Sequence, residues 1–261
     1  MKSYQQICQE WKTPDSAASF FAVFRNYNIL FAYNSAKIEN QQITYHDTRE
    51  VFENGRVSNF TGDPRTLFEI RNQKFCTAFL QDKILNREPV SIDLIRSIHA
   101  VLMRGSCNER QYIELDERPG AFRTHDFTVG RANVGLEAGD IEPELAYLCS
   151  EVGSITVSGP QPKETVLKCA AWFHLNFEYI HPFANGNGQV GRTLMNYILV
   201  VNDHPPAIIF DEHKEQYYHA LEHFDLTKEI DPFADFLKRE IEQTWNRDVR
   251  LHCRNRESAV P

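Results

Sequence analysis

Apolar residues recur at helical spacing along most of the chain. Between residues 92 and 103 they follow a 3.6-residue period, and Ser91 stands where an N-cap is expected. The same spacing predicts helices within residues 18–34, 65–86, 163–180, 213–224 and 232–247, and a further helix that contains Leu194 to Val201. Residues 119–135 instead alternate apolar and polar positions and hold three glycines, which is typical of a short hairpin. The pattern therefore predicts an all-α fold with one short β-hairpin.

The composition of the 261-residue chain is that of an ordinary globular protein, with 42% hydrophobic and 25% charged residues. Its net charge of −8 argues against a surface that binds nucleic acid or an anionic membrane. No apolar run is long enough to span a membrane, and the first residues lack the apolar run of a signal peptide. None of the six cysteines belongs to a CxxC pair, so a zinc site is not indicated. These features predict a cytoplasmic protein without nucleic-acid or membrane partners.

One segment between two helical stretches combines residues that suit anion chemistry. Pro182 ends the first helix because proline cannot continue it. Gly186 and Gly188 allow positive φ and a close approach of the backbone to a ligand. The next helix offers free N–H groups to an anion, and Arg192 adds a guanidinium. Asn-Gly-Asn-Gly alone would equally suit a tight turn, but the whole string is more specific: His181-Pro182-Phe183-Ala184-Asn185-Gly186-Asn187-Gly188-Gln189-Val190-Gly191-Arg192.

This string resembles the Fic motif, His-Pro-Phe-x-(Asp or Glu)-Gly-Asn-Gly-Arg-x-x-Arg. The resemblance implies a Fic/Doc (Fido) helical fold and a protein adenylyltransferase, which transfers AMP from ATP to a Ser, Thr or Tyr hydroxyl of a target protein or of itself. His181 would be the catalytic base. Phe127, Thr128 and Val129 would belong to the hairpin flap that binds the target. The nucleotide-binding residues it implies are Gly186, Asn187, Gly188, Gln189, Arg192, Tyr217 and Tyr218.

The chain departs from the motif at two positions. Asn185 stands where the family has a carboxylate that binds Mg²⁺ (or Mn²⁺) with the phosphates, and an amide oxygen is a weaker ligand for a hard dication. Gln189 stands where the family has an arginine, so a charge and a fork of donors are missing. Both changes are expected to weaken the binding of Mg-ATP.

A second resemblance lies near the N-terminus. The segment from Ser35 to Asn40 is similar to the family's inhibitory helix, (Ser or Thr)-x-x-x-Glu-(Gly or Asn). It implies that Glu39 pairs with Arg192 and so withholds this arginine from the terminal phosphate of ATP. We therefore expect an N-terminal helical arm with this inhibitory helix over residues 1–60, and a Fic core with the C-terminal helices over residues 61–261.

Other functions stay open at this point. Glu39 could instead orient a water for de-AMPylation, and the departures at Asn185 and Gln189 allow a catalytically weak nucleotide-binding regulator. A kinase of the Doc branch is a third alternative, although that branch alters the glycine pattern that is intact here. The oligomeric state also stays open, with a homo-oligomer as one alternative.

Overall fold

The computed structural model describes residues 1–106, 109–114, 116–129, 132–157 and 160–247, and this part of the chain contains eleven α-helices, two short 3₁₀ helices and one two-stranded sheet. The helices are α1 (Tyr4–Glu10), α2 (Ala17–Glu39), α3 (Tyr45–Asn54), α4 (Pro64–Leu85), α5 (Ile92–Leu102), α6 (Glu109–Glu114), α7 (Ile141–Val157), α8 (Lys163–Ile180), α9 (Asn187–Val201), α10 (Lys214–Thr227) and α11 (Asp231–Asn246). The antiparallel strands are β1 (Phe127–Val129) and β2 (Ala132–Val134). The predicted all-α fold with a short hairpin is confirmed, while residues 130 and 131 of this hairpin lie outside the described residues.

Most helices begin and end close to where the apolar period predicts them. Ser91 caps α5, since its Oγ atom accepts a hydrogen bond from the N–H of Leu94 at 3.1 Å. The pattern did not predict α1, α3, α6 and α7. Three of these helices are short and present few apolar positions, and α7 contains Pro143 and Gly153, which obscure its period.

The centre of the core is α9. All its residues except Gly188 are buried, and it packs along α8 and against α2, α4 and α5. Helices α10 and α11 cover the other side of α8, and α7 packs against α5 and α8. The loop that joins α8 to α9 is therefore held between the two most central helices, which makes its backbone a rigid platform.

Helix α2 is a long N-terminal element that ends beside the start of α9. Ser16 begins it with a capping box, and Asn40 follows its last residue. It packs on α3, α4 and α9 and brings Ser35 and Glu39 to the central loop. The division into an arm over residues 1–60 and a core over residues 61–261 stays a prediction. None of the helices in the described ranges is both long and apolar enough to cross a membrane.

Candidate active site

His181 ends α8 in a left-handed conformation. Its φ and ψ are 52° and 62°, and its N–H donates to the carbonyl of Phe177 at 3.0 Å. A non-glycine residue rarely adopts positive φ, which costs on the order of 1 kcal/mol, so the surrounding structure must hold it there. Pro182 follows and prevents continuation of the helix. The imidazole is therefore directed by a sharp, supported turn at the end of a buried helix.

The loop after His181 is closed by its own side chains. The Asn187 amide oxygen accepts from the N–H of Phe183 at 2.9 Å, and its Nδ2 atom donates to the Phe183 carbonyl at 2.7 Å. Phe183 is fully buried and stacks on His99 with 3.7 Å between the ring centroids. The side chain of Asn187 thus shapes the loop, which leaves only its backbone N–H for a ligand.

His99 is a supporting residue that the sequence analysis missed. Its Nδ1 atom must accept, because the N–H of Gly120 donates to it at 2.7 Å. The Nε2 atom therefore carries the proton and donates to the carbonyl of Asn185 at 3.1 Å. Burial lowers the pKa of His99 to about 4, which keeps it neutral. In the sequence it is only one more position of an amphipathic helix, so no signal singles it out.

The N-terminus of α9 faces a cavity of about 460 Å³. Gly186 is the N-cap residue with φ 77°, and having no side chain it leaves the first N–H groups of the helix uncapped. Glu39 and His181 line the same cavity. A Cβ atom on Gly188 would lie 2.4 Å from the Glu39 Oε1 atom. The cavity therefore combines helix N–H groups, an imidazole and a carboxylate, an arrangement in which an anion binds next to a base.

Arg192 is buried behind this cavity and bonded to α2. Its Nε atom donates to the Ser35 hydroxyl at 3.1 Å, and its Nη2 atom donates to the Ser35 carbonyl and to the Glu39 Oε1 atom, each at 2.9 Å. The Arg192 side chain is 2% exposed and the Glu39 side chain 42%. The structure thus contains the arginine–glutamate pair that the sequence resemblance implies.

The two tyrosines of α10 differ in their surroundings. Tyr217 is buried, its hydroxyl lies 2.9 Å from the Nε2 atom of His174, and the Arg192 guanidinium lies 5.8 Å from its ring centroid. Tyr218 is 42% exposed. Tyr217 therefore packs beneath Arg192, and Tyr218 is the tyrosine with free surface for a ligand. A nucleotide-binding role for either stays a prediction.

Asn185 offers only a neutral amide oxygen to a metal ion. It is exposed, and its Oδ1 atom accepts a hydrogen bond from the N–H of Gly186 at 2.8 Å. In the described ranges of the chain there is no group of three or more His, Cys, Asp or Glu side chains that could hold a metal ion. A neutral oxygen that is already bonded to the loop does not suit a hard dication. These residues do not fit a protein-bound Mg²⁺.

Gln189 is committed to a neighbouring helix. It is 5% exposed, and its Oε1 atom accepts from the Nε2 atom of Gln73 on α4 at 3.1 Å. Gln73 is 3% exposed. This side-chain oxygen therefore joins α9 to α4 and is occupied by that contact.

The electrostatics of His181 favour a neutral imidazole. Burial lowers its pKa below the usual value of 6.5, and the positive charge of Arg123 lowers it further. The carbonyl of Glu178 and the carboxylate of Glu39 act in the opposite direction. A neutral imidazole near pH 7 is the form that accepts a proton.

The remaining predicted residues lie on two sides of the loop. Asn40 follows the last residue of α2, and its Nδ2 atom donates to the Oε2 atom of Glu69 on α4 at 3.1 Å. Phe127, Thr128 and Val129 form β1, whose backbone pairs with β2. Leu136, just after β2, donates its N–H to the carbonyl of Ile180 at 3.2 Å, so the hairpin is anchored next to His181.

The sequence is similar to that of known proteins. Residues 89–199 match the model of the Fic/DOC family. The chain is 24% identical to the protein adenylyltransferase fic-1 of Caenorhabditis elegans over 256 residues, which cover 95% of this chain and 46% of the relative. It is 26% identical to the protein adenylyltransferase Fic of Drosophila erecta over 217 residues, or 81% of this chain and 40% of the relative. The chain thus spans less than half the length of these relatives.

Solved structures share the fold. A Fic domain containing signaling protein from Bacteroides thetaiotaomicron superposes with a TM-score of 0.75 at 17% identity, covering 92% of this chain and 91% of that protein. Fic-1 of Caenorhabditis elegans, residues 134–508, superposes with a TM-score of 0.72 at 20% identity, covering 98% and 72%. The helical arrangement around the α8–α9 loop is therefore the one that these Fic proteins share.

Proposed function

Because the chain belongs to the Fic/DOC family, we propose that it is a protein adenylyltransferase. It transfers AMP from ATP to a Ser, Thr or Tyr hydroxyl of a target protein or of itself. The observation that supports this most is the position of His181 at the rim of a cavity into which the uncapped N-terminus of α9 opens. A base for the hydroxyl proton and a site for the phosphate oxygens are both used in transfer of a nucleotide to a hydroxyl.

In the proposed reaction the neutral imidazole of His181 takes the proton of the target hydroxyl. The hydroxyl oxygen attacks the α-phosphorus of ATP, the bond from this phosphorus to the bridging oxygen breaks, and pyrophosphate leaves. The backbone N–H groups at the start of α9, at Asn187 and Gly188, bind phosphate oxygens. The residues present do not fit a bound Mg²⁺, so no step is assigned to the metal.

We further propose that α2 inhibits this transfer. A Cβ atom on Gly188 would lie 2.8 Å from the Arg192 Nη1 atom, so this guanidinium adjoins the start of α9, where it is bonded to Ser35 and Glu39. To bind the terminal phosphates of ATP, it must exchange the Glu39 carboxylate for a phosphate oxygen. Asn40 supports this position of α2 through its hydrogen bond to Glu69.

De-AMPylation is the second candidate, and one observation favours it. The Glu39 carboxylate lines the same cavity as His181 and remains 42% exposed, so it has free surface on which a water could be oriented. A weakly active nucleotide-binding regulator is the third candidate, which the contacts of Asn185 and Gln189 favour. A homo-oligomeric state and a place of action in the cytoplasm are also part of the proposal and rest on the sequence.

The deciding experiment is intact-protein mass spectrometry after incubation with ATP and Mg²⁺ or Mn²⁺. Glu39→Gly should gain about 329 Da, one AMP unit, on itself or on an added target, and Glu39→Gly/His181→Ala should gain nothing. Binding of ATP without any gain in mass would select the regulator. Loss of mass from a pre-modified target, with wild type faster than Glu39→Gly, would select de-AMPylation.

A further inference from the structure

Arg123 is a fully buried arginine at the start of the hairpin segment. Its side chain has no exposed surface, yet its guanidinium is bonded mainly to backbone carbonyls. The Nε atom donates to the carbonyl of His181 at 2.8 Å, and Nη1 donates to that of His125 at 3.1 Å. The Nη2 atom donates to the carbonyl of Leu136 and, at 3.4 Å, to that of Ile180. One planar side chain thus joins the end of α8 to both ends of the hairpin.

The backbone repeats this connection. The N–H of Arg123 donates to the carbonyl of Pro182 at 2.9 Å, and the N–H of Leu136 donates to that of Ile180 at 3.2 Å. Gly135 has a φ of 79°, and a Cβ atom there would lie 2.7 Å from the His181 Cβ atom and 2.8 Å from the Arg123 Nη2 atom. The hairpin end, the guanidinium and the catalytic turn are therefore packed without spare room.

The positive charge suits this place. The carbonyls of Ile180 and His181 form the C-terminal end of α8, where the helix dipole favours a cation. The carboxylate nearest to the guanidinium is that of Asp126, whose Oδ1 atom lies 3.3 Å from Nη1 and whose side chain is 55% exposed. An exposed carboxylate neutralises a buried charge only in part. Most of the stabilisation of Arg123 therefore comes from these backbone groups.

We propose that Arg123 is the positioning residue of the site: it holds the strained turn at His181 and the hairpin in one register, so that a hydroxyl presented by the hairpin meets the imidazole. This role rests on the proposed function. Arg123 is too deeply buried to touch a substrate, so it acts through the backbone of His181 and of the hairpin. A guanidinium is required because an ammonium cannot donate in a fixed plane to carbonyls on three sides.

The same geometry has an electrostatic consequence. The groups that face His181 are Arg123, the carbonyl of Glu178 and the carboxylate of Glu39. Burial and the Arg123 charge lower the pKa of His181, and the two other groups raise it. Removal of the charge at position 123 should therefore raise the pKa of His181, whereas removal of the planar guanidinium donors with the charge retained should not.

Two substitutions separate the two effects, each made in wild type and in Glu39→Gly. Arg123→Gln removes both the positive charge and the planar set of N–H donors. Arg123→Lys keeps the charge and removes the planar set of donors. Arg118→Gln is the matched control, since Arg118 lies in the same segment with a side chain that is 40% exposed. The readouts are the NMR titration of the His181 imidazole, hydrogen exchange of the Leu136 amide, and kcat for AMP transfer as a function of pH.

Arg123→Gln should raise the His181 titration midpoint, accelerate exchange at Leu136, and move the pH profile of kcat to higher pH. Arg123→Lys should leave the midpoint in place but accelerate exchange and lower kcat at least tenfold, with KM for ATP unchanged, because misplacement of reacting groups costs on the order of 100-fold. Arg118→Gln should change none of these. If Arg123→Gln does not fold, Arg123→Lys still decides the question.

Unchanged exchange at Leu136 and unchanged kcat in Arg123→Lys would overturn the proposal. A lowered kcat in Arg123→Lys without any change at Leu136 would do the same, since the effect would then not pass through the hairpin. Should no variant transfer AMP, the proposed function fails, while titration and exchange still test the role of Arg123.

Discussion

The Nη2 atom of Arg192 donates to the Oε1 atom of Glu39 at 2.9 Å, and this contact joins a guanidinium that is 2% exposed to a carboxylate that is 42% exposed. The two partners are 153 positions apart in the chain. The carboxylate can leave towards solvent, whereas the guanidinium keeps its two hydrogen bonds to Ser35. The movable partner of the pair is therefore Glu39.

We expect Glu39→Gln to tighten ATP binding. An amide of the same shape keeps the packing but does not compete as a charge for Arg192, and a partly exposed pair of this kind is worth about 1 kcal/mol. Isothermal titration calorimetry should therefore show a Kd for ATP lower by roughly fivefold. Glu222→Gln, which removes an exposed charge on α10, should leave the Kd unchanged. Equal affinities for wild type and Glu39→Gln would contradict competition at Arg192.

We expect Asn185→Asp to lower the Mg²⁺ concentration that transfer requires. A carboxylate next to the anion site is the ligand that Mg²⁺ prefers, whereas the present amide oxygen is bonded to Gly186. In the Glu39→Gly background, the Mg²⁺ concentration for half-maximal transfer should fall about tenfold for Asn185→Asp. Asn185→Ala in the same background should have the same Mg²⁺ concentration for half-maximal transfer as Glu39→Gly alone. If Asn185→Ala abolishes the response to Mg²⁺, the native amide is a ligand after all.

Gln189 and Gln73 should behave as a structural pair. Gln189→Leu removes the acceptor of a buried NH₂ group, which costs about 1–3 kcal/mol in the free energy of unfolding. Because leucine at both positions leaves no unpaired group, Gln73→Leu/Gln189→Leu should recover most of this loss. Urea denaturation of the two single variants and the double variant measures the coupling. Strictly additive losses would show that the two amides do not depend on each other.

Gly191 should not tolerate a methyl group. A Cβ atom there would lie 2.4 Å from the Glu178 Oε1 atom and 3.0 Å from the His174 Nδ1 atom, both of which are buried. Gly191→Ala should therefore lower the free energy of unfolding by about 1–3 kcal/mol. The matched control is Gly153→Ala in α7, where a Cβ atom meets nothing within 4 Å. There we expect a gain of about 0.5–1 kcal/mol, because alanine favours a helix interior over glycine. Thermal melting should show a lower Tm for Gly191→Ala and a higher Tm for Gly153→Ala than for wild type.

His204 should make the fold sensitive to acid. Its Nδ1 atom donates to the Pro205 carbonyl and its Nε2 atom accepts from the Tyr4 hydroxyl, each at 2.8 Å, and burial lowers its pKa from 6.5 to about 3. The folded state thus binds this proton less tightly than the unfolded chain. The contribution of His204 to stability should be complete above pH 6.5, fall by up to about 1.4 kcal/mol per pH unit down to pH 3, and level off below.

Urea unfolding at several pH values tests this expectation. His204→Gln should reduce the slope of stability against pH in this window. Part of the slope should persist, since burial also lowers the pKa of His99 to about 4 and that of His174 to about 3. His219→Gln, on the exposed face of α10, should leave the slope as in wild type. A slope that His204→Gln does not change would show that this histidine is not a source of the acid sensitivity.

Local sequence patterns were sufficient to predict many of the helices and the loop that carries His181. The apolar period predicts α5 and α8 almost to the residue, because buried apolar residues recur at helical spacing along both helices. The string from His181 to Arg192 predicts an anion site, since the turn and the helix start that would form it are adjacent in the chain. Glu39 was found from a short segment only because it resembles a known inhibitory helix.

What the tertiary structure decided is which partner each polar group has. Asn187 bonds Phe183, Gln189 bonds Gln73, and neither contact follows from spacing in the sequence. His99 and Arg123 bond the loop from 86 and 58 positions away, and they stand in a helix and in the segment before the hairpin with no pattern that singles them out. Sequence alone predicted most of the long helices and a candidate anion site, because both depend on neighbouring residues. The supports of His181 and the position of Arg192 depend on contacts between distant segments, which only packing around α9 brings together.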